Sequence, residues 1–394
     1  MNVLYIAPFN TPTFRARHGD LNPPGIGGLR KASLIMEALA RQGHRVLVLS
    51  SAMLSNSQIA WRAPAREQLE YGNKTVTVVY PSALMMRPFG GLLNCLRAAS
   101  LIRQILREFV PDAAIVYNTY LFESLAAREL TRLKKTPIVL EIEDLPLARR
   151  REWFNMKPWL DQWCWNDMLK MASAFTAVNE PIFDLLPNDK PRYLLPGVID
   201  EHLVTCSRSR QPPFSNRQRT LGYFGGLGHG KGCQMLIDLV PRLPPEWRLV
   251  VAGSGSLAGD FERLSKEYPD QLLFLGYLSG TQLYEAMCAC DCTVIPLEQI
   301  SEGGRGVFPF KTLEFVVAGT HVIASPLPAL RDLDLSFIQR WDGCSIDSLL
   351  AELSQAESKF RREQSAREKA IATILTRYSL SGVANRFSAL LSDR

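Results

Sequence analysis

Short β-branched runs alternate with helical stretches twice along this chain, and that alternation constrains the fold more than any other feature. In the first half, residues 2–7 read as a strand and residues 29–41 as a helix, with Leu34, Ile35, Ala38 and Leu39 at helical spacing and Gly43 placed to stop it. Strands are expected at 45–50, 113–117 and 137–142. A second series begins at Leu221, with strands at 221–224, 247–252, 272–275, 292–296 and 321–324. The pattern pauses at 194–200, and the polar, Pro- and Arg-rich stretch 207–219 reads as a linker. Alternation of this kind predicts parallel sheets covered on both faces. The expected fold is therefore α/β: two doubly wound, Rossmann-like domains over 1–200 and 201–375, then a C-terminal segment 376–394 with an amphipathic helix at 378–391. Two such domains facing each other leave a cleft at the carboxyl ends of their sheets, the usual ligand position.

A length of 394 residues suits two domains and exceeds one ordinary core. No stretch supplies the roughly 20 uninterrupted apolar residues of a membrane span. The opening MNVLYIAPF lacks a basic start and a cleavage site, so it reads as a buried strand, and a cytoplasmic location is expected. Of the eight cysteines, Cys288, Cys290 and Cys292 alternate as in a strand, and no His completes a zinc pattern. A structural role is expected for them, and no metal. The net charge of +6 is diffuse and accompanies no nucleic-acid motif; a phosphate-rich ligand or an anionic membrane surface would suit it.

Three segments carry chemistry. The first, GYFGGLGHGKG (222–232), leads from a strand into a helix carrying Met235, Leu236 and Leu239. Glycines let backbone approach a ligand, the helix start offers free N–H groups, and Lys231 adds a charge, all suited to a diphosphate. Gly232 stands where a Walker A loop needs Ser or Thr. The plainer alternative is a Gly-rich turn with a solvated lysine. The second, residues 303–325, places Lys311 and Glu314 three apart after Pro309, with Gly319 ending the helix. Lysine and helix dipole suit phosphate, and the carboxylate suits paired sugar hydroxyls; an exposed ion pair is the alternative. The third, Gly25-Ile26-Gly27-Gly28, opens a helix beside Arg30 and Lys31, either as a second diphosphate contact or simply as a helix start.

In order and spacing these segments resemble the retaining glycosyltransferases of family 4, which have the GT-B fold, over nearly the full chain. The resemblance rests on Gly27-Gly28, Leu39-Ala40 and Gly43-His44-Arg45-Val46 in the first half. In the second it rests on Gly225-Gly226-Leu227, Lys231-Gly232, Gly253-Ser254-Gly255, Gly276-Tyr277-Leu278-Ser279, Asp291 to Pro296, Lys311-Thr312-Leu313-Glu314 and Ala318-Gly319. It implies an acceptor-side domain at 1–200, a donor-binding domain at 201–375, and a final helix at 376–394 that packs back toward the first domain. Lys231 would neutralise the leaving diphosphate, Glu314 would bind the ribose, and Gly276, Tyr277 and Leu278 would line the base pocket. Gly225, Gly226, Gly253 and Lys311 would complete the donor site, and Gly27 and Gly28 would close it. The donor would be a nucleotide sugar, with no metal and no bound cofactor, since cations and helix N-termini stabilise the developing charge.

Three departures are specific to this chain. Gly226 stands where many members have Arg, a loss that Arg305 can make good. Gly306 stands where members with paired glutamates have the first, so backbone N–H groups or Glu302 would meet the donor sugar. No histidine follows Glu141-Ile142-Glu143-Asp144, which leaves Glu143 or Asp144 to face sugar or acceptor, or to serve structure.

The acceptor side centres on residues 85–109, where Arg87, Arg97, Arg103 and Arg107 mix with Leu92, Leu93, Leu101, Ile102, Ile105 and Leu106. Such a stretch can lie on an anionic membrane, which would fit a lipid-linked acceptor in bacterial surface polysaccharide synthesis, a saccharide being the other acceptor expected; an ordinary core-facing helix is the alternative. Arg149 to Arg151 with Trp153, Trp159, Trp163 and Trp165 can stack on sugars, meet a membrane interface, or pack as core. Rival activities are a GT-B nucleotide-sugar epimerase, which needs acid/base groups at the sugar, and a nucleotide-sugar binder without catalysis. Against a NAD-dependent dehydrogenase, the first strand is not followed by a GxGxxG turn with an acidic residue about twenty positions on.

Overall fold

The two alternating series become two separate, largely parallel sheets. The computed structural model describes residues 1–18, 26–52, 60–85, 90–145, 157–215, 218–296, 309–326, 333–342 and 345–392. Two compact units result: Met1–Val198 with Leu380–Arg394, and Ile199–Ser379.

In the first unit the strands are β1 (Asn2–Ile6), β2 (Arg45–Leu49), β3 (Ala60–Arg62), β4 (Ala65–Tyr71), β5 (Lys74–Tyr80), β6 (Ala83–Met85), β7 (Ala113–Tyr117), β8 (Ile138–Ile142), β9 (Ala174–Ala177) and β10 (Arg192–Leu194). Eight of them form one sheet in the order β10-β9-β8-β7-β1-β2-β5-β4, while β3 pairs with β6. Within the large sheet every pairing is parallel except β4 against β5. β7 and β8 are buried at every position, as strands covered on both faces must be. The helices Ala98–Glu108, Leu121–Lys134 and Lys157–Met171 bury Ile102, Leu130 and Met168 in one core with Leu4, Val116 and Leu140. Each such side chain contributes about 1.5–3 kcal/mol by leaving water. The edge strand β4 (AREQLEY) carries charge along its length, which discourages a further strand from adding.

The second unit holds β11 (Arg219–Gly226), β12 (Trp247–Ser254), β13 (Leu272–Phe274), β14 (Cys292–Ile295), β15 (His321–Ala324) and β16 (Gln339–Arg340). Their order is β13-β12-β11-β14-β15-β16, parallel throughout. Its core gathers Leu221, Trp247, Leu249, Phe261, Val294, Ile323 and Leu353. In each sheet the first strand lies between its successor and a later strand: β1 between β2 and β7, β11 between β12 and β14. Chain direction away from the sheet reverses at those positions, and the crevice beyond the strand ends there is where doubly wound sheets take ligands.

Some sequence expectations shift. The stretch 207–219 is not all linker, because the Glu201–Ser209 helix runs into it from an Asp200 cap on the His202 N–H. The unit boundaries fall at Val198/Ile199 and Ser379/Leu380, where 200/201 and 375/376 were expected. Ser379 is extended between the Gln364–Tyr378 and Leu380–Ser392 helices, so residues 376–378 end one helix and the last helix starts later. That last helix belongs to the first unit, against the Ile26–Arg41 helix, where Gln42 donates to Asn385 at 2.7 Å. The cysteine alternation is not one strand: Cys288 ends the Gly280–Cys288 helix and only Cys292 lies in β14.

Candidate functional site

At the switch point of the second sheet, β11 ends in Gly225 and Gly226, two residues beyond the expected strand end. The turn that follows contains a short 3-10 segment, His229–Lys231, held by the Lys231 N–H on the Gly228 carbonyl at 3.1 Å. Gly232 then adopts φ +70, and a Cβ there would stand 1.9 Å from the Pro296 carbonyl oxygen just past β14. Only glycine permits that backbone approach, which ties the turn to the end of β14 and starts the Cys233–Leu239 helix. Lys231 is left exposed on this anchored turn. Gly226 has open space where a side chain would be, while its carbonyl accepts from the Tyr223 hydroxyl at 2.9 Å.

Several predicted donor residues meet here. Gly253, at the end of β12, donates its N–H to the Gly276 carbonyl at 2.8 Å. The Lys311 ammonium donates to the Phe224 carbonyl of β11 and lies 3.7 Å from where a Gly225 Cβ would be. Glu314, one turn along the Lys311–Val317 helix, is buried at 1% exposure. It is therefore no solvated surface partner for Lys311. Tyr277 is exposed at 58%, and Leu278 is half-buried beside it. The structure brings Gly225, Gly253, Gly276 and Lys311 together at one strand end, with Lys231 on the turn that follows it. Glu302, Arg305 and Gly306 lie outside the described residues.

The switch point of the first sheet holds a second cluster. The Ile26–Arg41 helix begins one turn earlier than expected, with Gly27 and Gly28 inside its first turn. A Cβ on Gly28 would fall 2.6 Å from the Tyr117 hydroxyl, at the end of β7. Lys31, one turn on, is buried; its ammonium pairs with Glu143, donates to the Leu195 carbonyl at 2.7 Å and lies 3.5 Å from Glu141. Tyr5 on β1 donates its hydroxyl to the other Glu141 oxygen. Asn118, in the left-handed region at φ +54, accepts the Glu143 and Asp144 N–H groups on its side-chain oxygen at 2.7 and 3.1 Å. Burial pushes Glu143 up to about 7, with Lys31 pulling the other way and Glu141 adding to the rise. Burial beside Glu141 likewise holds the Tyr5 phenol well above its ordinary value.

Tyr5, Tyr117, Asn118 and the role of Lys31 were not foreseen. The signal available was an acid, Glu141, inside a strand otherwise apolar and buried on both faces. Among the described residues no group of three or more His, Cys, Asp or Glu side chains is arranged to hold a metal ion.

In the basic, leucine-rich stretch 85–109, the Ala98–Glu108 helix buries Ala98, Ile102 and Ile105, and Arg103 bonds Glu129 at 2.6 Å. That part is core-facing, the plainer of the two expectations. The preceding Gly90–Leu96 helix instead exposes Leu92, Leu93 and Leu96. Trp61 is 62% exposed, with the Arg97 guanidinium 5.5 Å from its ring centre. Trp159 and Trp163 are exposed on the Lys157–Met171 helix and Trp165 is core. Arg87, Arg149 to Arg151 and Trp153 lie outside the described residues. No helix among the described residues is long and apolar enough to cross a membrane.

Comparison with known proteins places the chain. Residues 218–342 match the family described as glycosyl transferases group 1, and residues 27–191 match the glycosyl transferase 4-like domain. No curated protein matches the sequence. Among solved structures, HepE of Anabaena in complex with UDP is 15% identical with a TM-score of 0.66, over 100% of both chains. The catalytic domain of starch synthase IV from Arabidopsis thaliana, bound to ADP and acarbose, is 12% identical at a TM-score of 0.62, over 100% of this chain and 99% of that one. The lipopolysaccharide outer core galactosyltransferase WaaB, in its apo form, is 13% identical at a TM-score of 0.60, over 99% of each. Likeness at these identities establishes a shared fold, GT-B.

Proposed function

The chain belongs to the group 1 glycosyltransferases, and from that premise we propose that it moves a sugar from a nucleoside-diphosphate sugar to a hydroxyl acceptor with retention of configuration. One observation carries the reading: the glycine-lined strand end at Gly225, Gly253 and Gly276, with Lys311 on it and Lys231 on an anchored turn beyond, lies at the switch point of the second sheet. That is where such a sheet offers backbone N–H groups and cations to a diphosphate. The UDP and ADP bound by HepE and starch synthase IV accord with a nucleoside diphosphate as leaving group.

In this reading Lys231 and Arg305 meet the charge that develops on the departing diphosphate, Glu314 takes the ribose hydroxyls, and Tyr277 and Leu278 flank the base. Backbone N–H groups around Gly306 meet the sugar. The leaving phosphate departs from the face that the acceptor attacks and takes its proton, so neither a metal nor a bound cofactor is required. Positive groups already in place do most when charge appears in the transition state. Glu143 and Asp144 serve the sugar or acceptor.

We further propose a lipid-linked or saccharide acceptor in bacterial surface polysaccharide synthesis, met from the cytoplasm at an anionic membrane face. Exposed Trp61, Leu92, Leu93 and Leu96 beside Arg97 support it.

The test is a thermal-shift screen over UDP-, GDP-, ADP- and dTDP-sugars, since a ligand of the folded state raises its apparent stability. Transfer assays with the best donor then compare wild type with Lys231→Ala, whose kcat should fall roughly 10²–10³-fold. Normal turnover in that variant would sink the assignment of Lys231. Release of an epimer without acceptor would point to the isomerase reading, and donor binding without any turnover to a binding protein.

A further inference from the structure

The cluster at the first switch point contains a carboxyl group that packing alone does not call for. Glu141 is 1% exposed and sits between Leu140 and Ile142 in a fully buried strand. An apolar residue would fill that place without the cost of removing a carboxylate from water. Its two oxygens are treated differently. One accepts from Tyr5, while the other has no hydrogen-bond partner among the described residues, although the Lys31 ammonium stands 3.5 Å away. Lys31 closes instead on Glu143 and the Leu195 carbonyl. One cation thus lies between two carboxyl groups, and they are not equivalent: the Glu143 side chain keeps 13% exposure against 1% for Glu141. Asn118 fixes the Glu143 backbone through the 2.7 Å bond to its N–H.

We infer that Lys31 is a positioning residue, whose ammonium, backed by the Leu195 carbonyl and flanked by Glu141, holds Glu143 as a carboxylate that accepts a hydrogen bond from a substrate sugar hydroxyl. This rests on the transfer reading only for the identity of the substrate. Lys31 itself touches no substrate. Tyr5 donates to Glu141 at the back of the cluster and fixes that carboxyl in place.

The inference predicts a pH dependence. The charged and titratable groups facing Glu143 are Lys31 from the Ile26–Arg41 helix, Glu141 from β8, its neighbour Asp144, Tyr117 from β7 and Tyr5 from β1. Burial sets Glu143 at about 7, so activity should rise as it loses its proton and fall below that pH. An opposite charge within contact distance favours the ionised form of a carboxyl by about 1–3 pH units, and removing it does the reverse.

Two readouts test this. Carbon-13 NMR of glutamate carboxyl groups follows the Glu143 titration without any turnover, with Glu143→Gln identifying its resonance; kcat/KM against pH follows the reaction. In Lys31→Met the resonance should titrate at least ~1 unit higher and the acid limb of kcat/KM should move with it. At pH 7 that is a loss of about fivefold or more, recovered on raising the pH and restored in large part by Lys31→Arg. Glu141→Gln, which removes a like charge, should move both downward, so a poorly folding Lys31→Met does not end the test. Loss of activity equal at all pH values, with an unmoved titration, would overturn the inference. So would a titration that moves while the acid limb stays. A wild type that binds nucleotide sugars yet transfers none fails the transfer reading instead, and the titrations of Lys31→Met and Glu141→Gln then decide the inference alone.

Discussion

The carbonyl oxygen of Pro296 stands 1.9 Å from the point where a Cβ on Gly232 would lie, with Gly232 at φ +70. Two costs therefore meet in Gly232→Ala. A left-handed residue with a Cβ loses about 1–2 kcal/mol, and the overlap is with backbone, which cannot swing aside. We expect the unfolding temperature to fall by roughly 5 °C or more, at about 2–4 °C per kcal/mol for a unit of this size. Nucleotide binding should weaken as well, because Lys231 precedes the displaced residue. Gly226→Ala enters open space and should stay within about 0.5 kcal/mol of wild type. Scanning calorimetry on both variants checks the contrast; equal unfolding temperatures would refute the tight turn.

The space at Gly226 allows a gain as well. An arginine there would start from the end of β11, next to the turn that carries Lys231. Gly226→Arg should fold normally and bind nucleoside diphosphate about tenfold more tightly, a gain of about 1.4 kcal/mol from one charge-assisted contact. Titration calorimetry with UDP and ADP, at low and high salt, measures it. Unchanged affinity would mean that the diphosphate does not lie at this strand end.

Periodic segments were legible in the sequence and special positions were not. β7 and β15 were read to the residue, because each is a short apolar run bounded by turn residues. The Glu201–Ser209 helix was partly missed: its Ser and Arg content resembles a linker, and what starts it is a single Asp200 cap. In the second unit, glycines announced the strand ends, since their spacing is local in sequence. The buried cluster in the first unit joins Tyr5, Lys31, Asn118, Glu141 and Glu143 across β1, β7, β8 and a helix. No local pattern encodes such a meeting; only the strand order β8-β7-β1 brings it about. Asn118 was invisible for the same reason, its role depending on a left-handed backbone at the end of β7, the strand beside Tyr5.

The exposed apolar group in the first unit gives a prediction about surfaces. Trp61 and Leu96 are 62% and 64% exposed, so replacing them costs the fold little. If they meet lipid, Trp61→Ala combined with Leu96→Ser should abolish flotation with anionic vesicles at low salt while leaving the unfolding temperature within about 1 °C. Neutral vesicles should bind wild type weakly. Equal flotation of variant and wild type would remove this face from consideration.

Stability should respond to pH in opposite directions in the two units. Glu123, fully buried at the start of the Leu121–Lys134 helix, is pushed up to about 7 by burial, although Ser51 donates to one of its oxygens at 2.8 Å. The folded state holds that proton more tightly than the unfolded chain, where the group titrates near 4.5. Its contribution is thus complete below the unfolded value and declines as pH rises toward 7, by about 3 kcal/mol in all. His321, buried in β15 against Gln339, is held down to about 4 by burial. Here the unfolded chain takes the proton first, near 6.5, so stability is complete above that pH and falls by about 3 kcal/mol as pH drops toward 4. Denaturant unfolding at pH 5, 6.5 and 8 reads both effects, because Trp165 lies in the first core and Trp247 in the second. Glu123→Gln should remove its own share of the loss between pH 5 and 8 seen by Trp165, leaving the share that the raised Glu143 contributes, and His321→Gln the loss below pH 6.5 seen by Trp247. The slope against pH carries the result, since either substitution can also change the absolute stability. A Trp165 transition that gains stability from pH 5 to 8 in wild type would show that Glu123 is not buried as a neutral acid.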